Sequence, residues 1–305
     1  MKQPYSYTGF GIRIHAEIAL PELLEQDTDS PDLIIQLSPI PDTLFPENTG
    51  SSPAASFTQE EYLLFLPGVS KYRVRHGRFI DVDPINPDDM SSVRLFLLSM
   101  VIPAALKQQG RILVHASAVL VNGTLDLFVG QSKAGKSSLA AALKKRGYQV
   151  FSDDVCVLHL PEAGGEVMAY ASYPMMKLWE ETVDLLDNEA YRKEHRIRPH
   201  LRKFGQFFHN DFDTNAYPVQ QIFILSPHSG EEGPVYSQQT LGGLEAFEKI
   251  SRHTYRGQFV QTGEQRATHL NLMSRLVRQA RITEIYRQKN KSTIDGLAEY
   301  MVPIL

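Results

Sequence analysis

The nine residues at positions 130–138 give the clearest chemical signal in the sequence. They spell Gly-Gln-Ser-Lys-Ala-Gly-Lys-Ser-Ser and match G-x-x-x-x-G-K-[ST], the pattern of a loop that wraps around phosphate groups. Glycines let the backbone turn tightly beside an anion, and consecutive N–H groups at a helix start then face it. In this pattern Lys136 reaches the β- and γ-phosphates of a nucleotide, and the Ser137 hydroxyl is a ligand for Mg²⁺. The motif therefore predicts a bound nucleoside triphosphate and Mg²⁺. The residues expected to contact the nucleotide are Gly130, Ser132, Lys133, Ala134, Gly135, Lys136, Ser137 and Ser138.

Two adjacent carboxylates, Asp153 and Asp154, follow the loop by one predicted helix and one predicted strand. They fall at the carboxyl end of that strand, the edge at which open α/β sheets bind ligands. One carboxylate can organise Mg²⁺ while the other accepts a proton from an attacking hydroxyl. The competing interpretation is an ordinary turn in which the pair caps the next segment. The short distance downstream of the loop favours the chemical interpretation.

Several other polar residues are candidates for the same site. His115 lies in the apolar run 112–119, where a lone histidine is usually a core residue with a satisfied hydrogen bond. The run precedes the hairpin that leads to the loop, which makes His115 a candidate nonetheless. The basic segment 190–204 is typical of a solvated surface, but a transferring phosphoryl group benefits from a cationic clamp. The candidates for this clamp are Arg202, Lys203 and, second to them, Arg256.

The sequence pattern also predicts the elements that position these residues. An apolar run at 125–129 precedes the loop, and a helical pattern extends from about 136 to 146. Asn122-Gly123 joins two apolar runs, which predicts a hairpin leading into the loop strand. Further strands are predicted at 148–151, 221–225 and 282–286, and helices at 178–186, 241–250 and 269–279.

Two domains are predicted from the distribution of these patterns. Residues 1–87 contain short strand patterns and a loop rich in proline and serine, and form a small β-rich domain for substrate recognition or assembly. Residues 88–305 form an α/β catalytic domain around the phosphate loop. Asp88 or Asp89 is expected to cap its first helix, and Pro103 to kink or end that helix.

Composition excludes several classes of protein. Hydrophobic residues at 42% and charged residues at 22% describe an ordinary globular chain, and the net charge of −4 argues against a nucleic-acid partner. No apolar run of membrane-spanning length and no N-terminal signal pattern are found, so a cytoplasmic location without a membrane partner is predicted. Cys156 is the only cysteine, which rules out an intramolecular disulfide.

Residues 111–158 resemble the HPr kinase/phosphorylase family. The resemblance lies in His-Ala-Ser-Ala-Val at 115–119, the phosphate loop, and Arg-Gly-Tyr-x-Val-x-Ser-Asp-Asp at 146–154. The sequence is most similar to HPr-kinase-like proteins found beside peptide-modification systems, some of which phosphorylate a serine near the C-terminus of lasso-peptide precursors. Positions 5–11 and 20–23 also resemble those peptide kinases.

The resemblance implies an α/β fold with a P-loop kinase core of the HPr kinase/phosphoenolpyruvate carboxykinase type, which uses ATP and Mg²⁺. It places His115, Asp153 and Asp154 in the active site with Lys136. Asp153 would accept the proton of a substrate serine with help from His115, and Asp154 with Ser137 would serve Mg²⁺. Ring-forming relatives also make a homo-oligomer an expectation.

Two departures from the family narrow the hypothesis. Ser138 stands where the regulatory kinases have Glu, and their later phosphorylase signature is not recognisable. Both argue against dephosphorylation and against HPr as the substrate. The leading hypothesis is an ATP-dependent serine kinase acting on a peptide or small protein, such as a lasso-peptide or other ribosomal-peptide precursor. The alternatives are an HPr-type kinase/phosphorylase, a small-molecule kinase and a non-catalytic nucleotide-binding module.

Overall fold

A computed structural model describes residues 5–45, 53–161, 164–185, 202–229, 232–255 and 263–305. These residues form a mixed α/β fold with two large sheets, one built before position 85 and the other after position 111. The loop at 130–135 and the aspartate pair of the candidate site follow strands of the second sheet.

The N-terminal sheet has eight strands within the described ranges, and most neighbours are antiparallel. Its strands are β1 (Tyr5–Gly9), β2 (Ile12–Ala16), β3 (Leu24–Glu25), β4 (Leu33–Leu37), β5 (Ala54–Phe57), β6 (Glu61–Leu66), β7 (Ser70–Arg75) and β8 (Phe79–Pro84). They lie in the order β3-β1-β2-β4-β8-β7-β6-β5. Every second residue of β7 is buried, as expected for a strand with one face on a core.

A long helical segment packs against this sheet in a common core. It consists of α1 (Met90–Phe96), a π-helical turn at Leu97–Val101 and α2 (Ile102–Gln108). The Asp89 carboxylate caps it by accepting a hydrogen bond from the Ser92 N–H. Pro103 does not end the helix, because the π turn precedes it. The carbonyl of Ser99, four residues before this proline, accepts a hydrogen bond from the Tyr255 hydroxyl instead.

The same segment corrects one expectation from the sequence. By length and composition Met90–Gln108 is apolar enough to cross a membrane, although no such run was expected. However, 61% of its most apolar window is buried inside the fold, as in the core helix of a globular domain.

Eleven further strands occur in the described part of the chain. They are β9 (Ile112–Val114), β10 (Ala116–Val121), β11 (Thr124–Gly130), β12 (Gln149–Ser152), β13 (Cys156–His159), β14 (Met168–Ala171), β15 (Met175–Trp179), β16 (Lys203–Phe207), β17 (Tyr217–His228), β18 (Tyr236–Leu241) and β19 (Arg281–Gln288). β15 and β16 form a separate antiparallel ladder, and the other nine form the second sheet.

Four strands of the second sheet end at the same edge. β11, β17 and β19 are parallel neighbours, and β12 runs in the direction of β11 because both are antiparallel to β10. The predicted hairpin between β10 and β11 is confirmed, with Asn122 and Gly123 at φ 50° and 82°, as a two-residue turn requires. The carboxyl ends of these four strands form the edge at which such sheets bind ligands.

Helices pack on both faces of the second sheet. They include α3 (Lys136–Lys145), α5 (Gly243–Ser251), α6 (Gly263–Gln279) and α7 (Ile294–Met301), with the short α4 (Glu180–Leu185) following β15. Phe128 of β11 contacts the α3 and α7 side, whereas Leu127 and Val129 contact the α5 and α6 side. The helix predicted at 178–186 is wrong in its first two residues, since Leu178 and Trp179 belong to β15.

Candidate active site

The phosphate loop connects β11, which ends at Gly130, to α3, which begins at Lys136. Gly130 and Gly135 have φ angles of 155° and 103°, which disfavour other residues. A Cβ atom added at Gly130 would lie 2.8 Å from the carbonyl oxygen of Leu225. The two glycines of the motif thus allow a loop that turns directly from a central strand into a helix.

Lys136 is buried beneath its own loop. Its Nζ donates hydrogen bonds to the carbonyls of Gly130 at 3.0 Å and Gln131 at 3.2 Å. Burial lowers the pKa of the ammonium, and the carboxylates of Asp153 and Asp154 oppose this effect.

Asp153 is buried directly after β12, with 1% of its surface exposed. Its Oδ1 accepts a hydrogen bond from the Ser117 hydroxyl at 2.6 Å, and its Oδ2 accepts one from the Lys177 backbone N–H at 2.9 Å. Both carboxylate oxygens are thus engaged within the protein. This geometry does not fit the implied role of Asp153 as direct proton acceptor, because burial keeps an incoming hydroxyl away from it.

Asp154 adopts a left-handed backbone with φ of 72°, so its side chain points differently from that of Asp153. Its Oδ2 accepts a hydrogen bond from the Lys177 ammonium at 2.8 Å. Burial alone would raise the pKa of this carboxyl, but the charge of the hydrogen-bonded Lys177 ammonium outweighs burial and holds the pKa well below its usual range. Asp154 is therefore ionised, and Lys177 is correspondingly held in its charged form.

His115 lies between β9 and β10, where its backbone N–H donates to the carbonyl of His253. Its Nδ1 is 2.7 Å from the carbonyl oxygen of Asp154. Because a carbonyl only accepts, Nδ1 carries the proton and Nε2 is free to accept one. Burial, together with the nearby Lys136 charge, lowers the pKa of the imidazole below its ordinary value of 6.5.

A cleft of about 360 Å³ over the start of α3, here named the loop cleft, brings most predicted residues together. Among the residues lining it are His115, Ser132, Lys133, Gly135, Lys136, Ser137, Ser138, Asp154, Lys177 and Lys203. Gly130 lines a second cleft on the other side of the loop, and Ala134 is fully buried beneath the loop.

The three predicted clamp residues lie in different places. Lys203 lines the loop cleft, where burial lowers its pKa and the charge of Asp154 opposes that shift. Arg202 does not line it; its side chain is 75% exposed and forms an ion pair with Glu180. Neighbouring residues of a strand point to opposite faces, so Lys203 at the start of β16 points inward and Arg202 outward. Arg256 lies outside the described residues.

Three residues at the loop cleft were not predicted from the sequence. Lys177 is a buried cation in the apolar strand β15. A lysine in such an apolar run needs a buried acidic partner, so its position in the sequence could have indicated that it pairs with a carboxylate of this site. Arg287, at the carboxyl end of β19, donates to the carbonyl of Ala134 at 2.8 Å. Trp179 also lines the cleft, with the Nζ atoms of Lys133 and Lys203 5.7 and 5.6 Å from its ring centre.

Comparison with known proteins gives a weak likeness to solved structures. No family model matches the chain, and no curated protein matches it. Among solved structures, the HPr(Ser) kinase/phosphatase from Coxiella burnetii is similar at a TM-score of 0.32 and 15% sequence identity, over 63% of this chain and 94% of that protein.

Proposed function

We propose that this protein is a kinase that transfers the γ-phosphate of ATP to a serine hydroxyl of a peptide or small protein. The observation that supports this is the shared lining of the loop cleft by Lys136, Ser137, Asp154 and His115. The loop alone supports only nucleotide binding, whereas the carboxylate and imidazole are groups that orient a metal and accept a proton. A ribosomal-peptide precursor, such as a lasso-peptide precursor, is the acceptor class suggested by the sequence resemblance of residues 111–158.

Ser137 and Asp154 are the residues that would hold Mg²⁺. An ionised carboxylate and a hydroxyl are the hard oxygen ligands that this cation prefers. No cluster of three or more His, Cys, Asp or Glu suited to a metal occurs within the described ranges. That fits a cation that takes its remaining ligands from substrate phosphates and water. When bound, Mg²⁺ would neutralise charge on the β- and γ-phosphates.

The transfer forms one bond and breaks another. The serine oxygen bonds to the γ-phosphorus while the bond from this phosphorus to the bridging oxygen breaks and ADP leaves. The serine proton passes to Nε2 of His115, the nitrogen left unprotonated by the hydrogen bond to Asp154. Lys136 and Lys203 supply positive charge to the transferring group. Asp153 is a positioning residue, which anchors the turn that presents Asp154.

The test is phosphotransfer to serine peptides with ATP and Mg²⁺, followed by mass spectrometry. His115→Gln is expected to lower kcat about 100-fold, and Asp154→Asn and Lys136→Ala to abolish transfer. Arg281→Gln, an exposed charge at the opposite end of β19, is the matched control. Nucleotide binding is followed separately through Trp179, the only tryptophan of the chain. Full activity of Asp154→Asn, or binding of nucleotide without transfer to any acceptor, would refute the proposal.

A further inference from the structure

A second cleft, here named the edge cleft, opens on the other side of the phosphate loop. Its volume is about 830 Å³, more than twice that of the loop cleft. Ser226 near the carboxyl end of β17 and Glu284 in the middle of β19 line it, and the end of α5 contributes Lys249 and Arg252. The loop therefore separates two clefts of different size.

The two clefts share His115, Ser132 and Lys133. The loop cleft contains the first turn of α3 and Asp154, so it is the place for the triphosphate and its cation. In-line transfer requires that the acceptor approach the γ-phosphate from the side opposite the departing ADP. The edge cleft meets the loop cleft at His115, which places it on a path for the acceptor.

The charges of the edge cleft favour an anionic occupant. Lys249 forms ion pairs with Glu284 and Glu245 and is thereby neutralised. By contrast, Arg252 and Lys289 are exposed and form no ion pair with any of the described residues. Both have fixed backbones, because the N–H of Arg252 donates to Glu248 at the end of α5 and that of Lys289 donates to His228. Arg252 and Lys289 are thus exposed cations on hydrogen-bonded backbones at the edge cleft, with no ion-pair partner among the described residues.

We infer that the edge cleft binds the acceptor chain, and that Arg252 and Lys289 recognise a carboxylate close to the acceptor serine. This inference rests on the proposed kinase function. Exposed ion pairs of this kind each contribute modestly to affinity, so the preference for an acidic over a neutral acceptor is expected to be about three- to tenfold in KM. It should decrease at high salt, because exposed charges are screened.

The experiment compares end-capped serine peptides with flanking Glu, Gln or Lys residues. A fourth peptide, neutral but with a free C-terminal carboxylate, distinguishes a side-chain carboxylate from a terminal one. Phosphotransfer gives KM and kcat, and fluorescence anisotropy with MgADP gives the affinity of each peptide without any need for transfer. Arg252→Gln/Lys289→Gln should bring the ratio of acidic to neutral KM close to one, and Arg252→Glu/Lys289→Glu should shift the preference to the Lys peptide. Arg281→Gln should keep the wild-type ratio.

The outcomes separate this inference from the proposed function. Equal KM values for phosphorylation of acidic and neutral peptides would show that the edge cleft does not bind a carboxylate, and so would an acidic preference that persists in the charge-reversal variant. In both cases the proposed kinase function would stand. If no peptide is phosphorylated, the kinase proposal fails, and the anisotropy ratio still decides whether the edge cleft binds acidic chains. A loss of nucleotide binding in the Gln variant would instead assign these cations to the donor phosphates and overturn the inference.

Discussion

Removing the ammonium of Lys177 tests the charge balance on which the site depends. Lys177 Nζ lies 2.8 Å from Asp154 Oδ2, and the two side chains are only 6% and 19% exposed. Lys177→Met keeps much of the apolar length of the side chain but leaves the carboxylate without its main partner. Removing one member of a buried pair typically costs about 3–5 kcal/mol. Because the loop cleft admits water to Asp154, we expect a loss of about 3 kcal/mol in the free energy of unfolding at pH 7.

Urea unfolding followed by circular dichroism measures this loss, and pH gives its sign. In the wild type the pKa of Asp154 is lowered from 3.8, so its contribution to stability is present above that value and is lost as the pH falls through the folded-state pKa. In Lys177→Met, burial without the ammonium raises this pKa, so the deficit relative to wild type should be largest at neutral pH and shrink toward pH 4. A second substitution, Asp154→Asn, should recover about 2 kcal/mol at pH 7, because the buried charge is then gone. A loss below about 1 kcal/mol in Lys177→Met, or an equal loss with Asn at position 154, would refute the reasoning.

Three further predictions concern residues of the second sheet and of β16. Burial raises the pKa of Asp126 from 3.8 to about 7, so this residue destabilises the fold increasingly as pH rises between these values. Asp126→Asn should therefore raise the free energy of unfolding by at most about 4 kcal/mol at pH 8 and by little at pH 4. Urea unfolding at both pH values measures this difference, and an equal gain at both would contradict this account. Gly130→Ala should lower the free energy of unfolding by about 1–3 kcal/mol and weaken nucleotide binding, since its Cβ would lie 2.8 Å from a β17 carbonyl oxygen. Gly242→Ala, where an added Cβ has no neighbour within 4 Å, should leave both nearly unchanged. Lys203→Met should lower kcat about 100-fold because its ammonium lines the loop cleft, and Arg202→Met, at a 75% exposed position, should leave kcat unchanged; similar rates for these two variants would remove Lys203 from the site.

Much of the fold around the site can be predicted from local sequence. The Asn122-Gly123 turn, the apolar run before the loop and the helix after it all depend on residues close together in the chain, and the structure has each of them. The continuation of the Met90–Gln108 segment through Pro103 could not be predicted locally. The Ser99 carbonyl, four residues before this proline, accepts its hydrogen bond from Tyr255, which is more than 150 positions away. Backbone groups with such distant partners leave no trace in a local pattern.

The candidate site likewise combines features that local sequence predicts with features that depend on distant residues. The spacing of Gly130, Gly135, Lys136 and Ser137 by itself predicted a tight loop before a helix, because backbone turns and helix starts are set by adjacent residues, and the structure has this loop between β11 and α3. Tertiary structure alone decided which member of the aspartate pair faces the cleft. Hydrogen bonds from Ser117 and Lys177 engage both carboxylate oxygens of Asp153, whereas the left-handed φ of Asp154 turns its side chain in another direction.

The partners of those carboxylates were also decided by the fold. Lys177, Arg287 and the cations of the edge cleft lie between about 20 and 150 positions away from the loop and the aspartates along the chain. The parallel pairing of β11, β17 and β19 brings Arg287 to the loop, whereas Lys177 reaches Asp154 from the separate ladder of β15 and β16. The sequence by itself determined a glycine-rich loop between a strand and a helix, which is the pattern of a phosphate site. Charge, burial and accessibility depend on which distant side chains share a cleft, and only the tertiary structure brings them together.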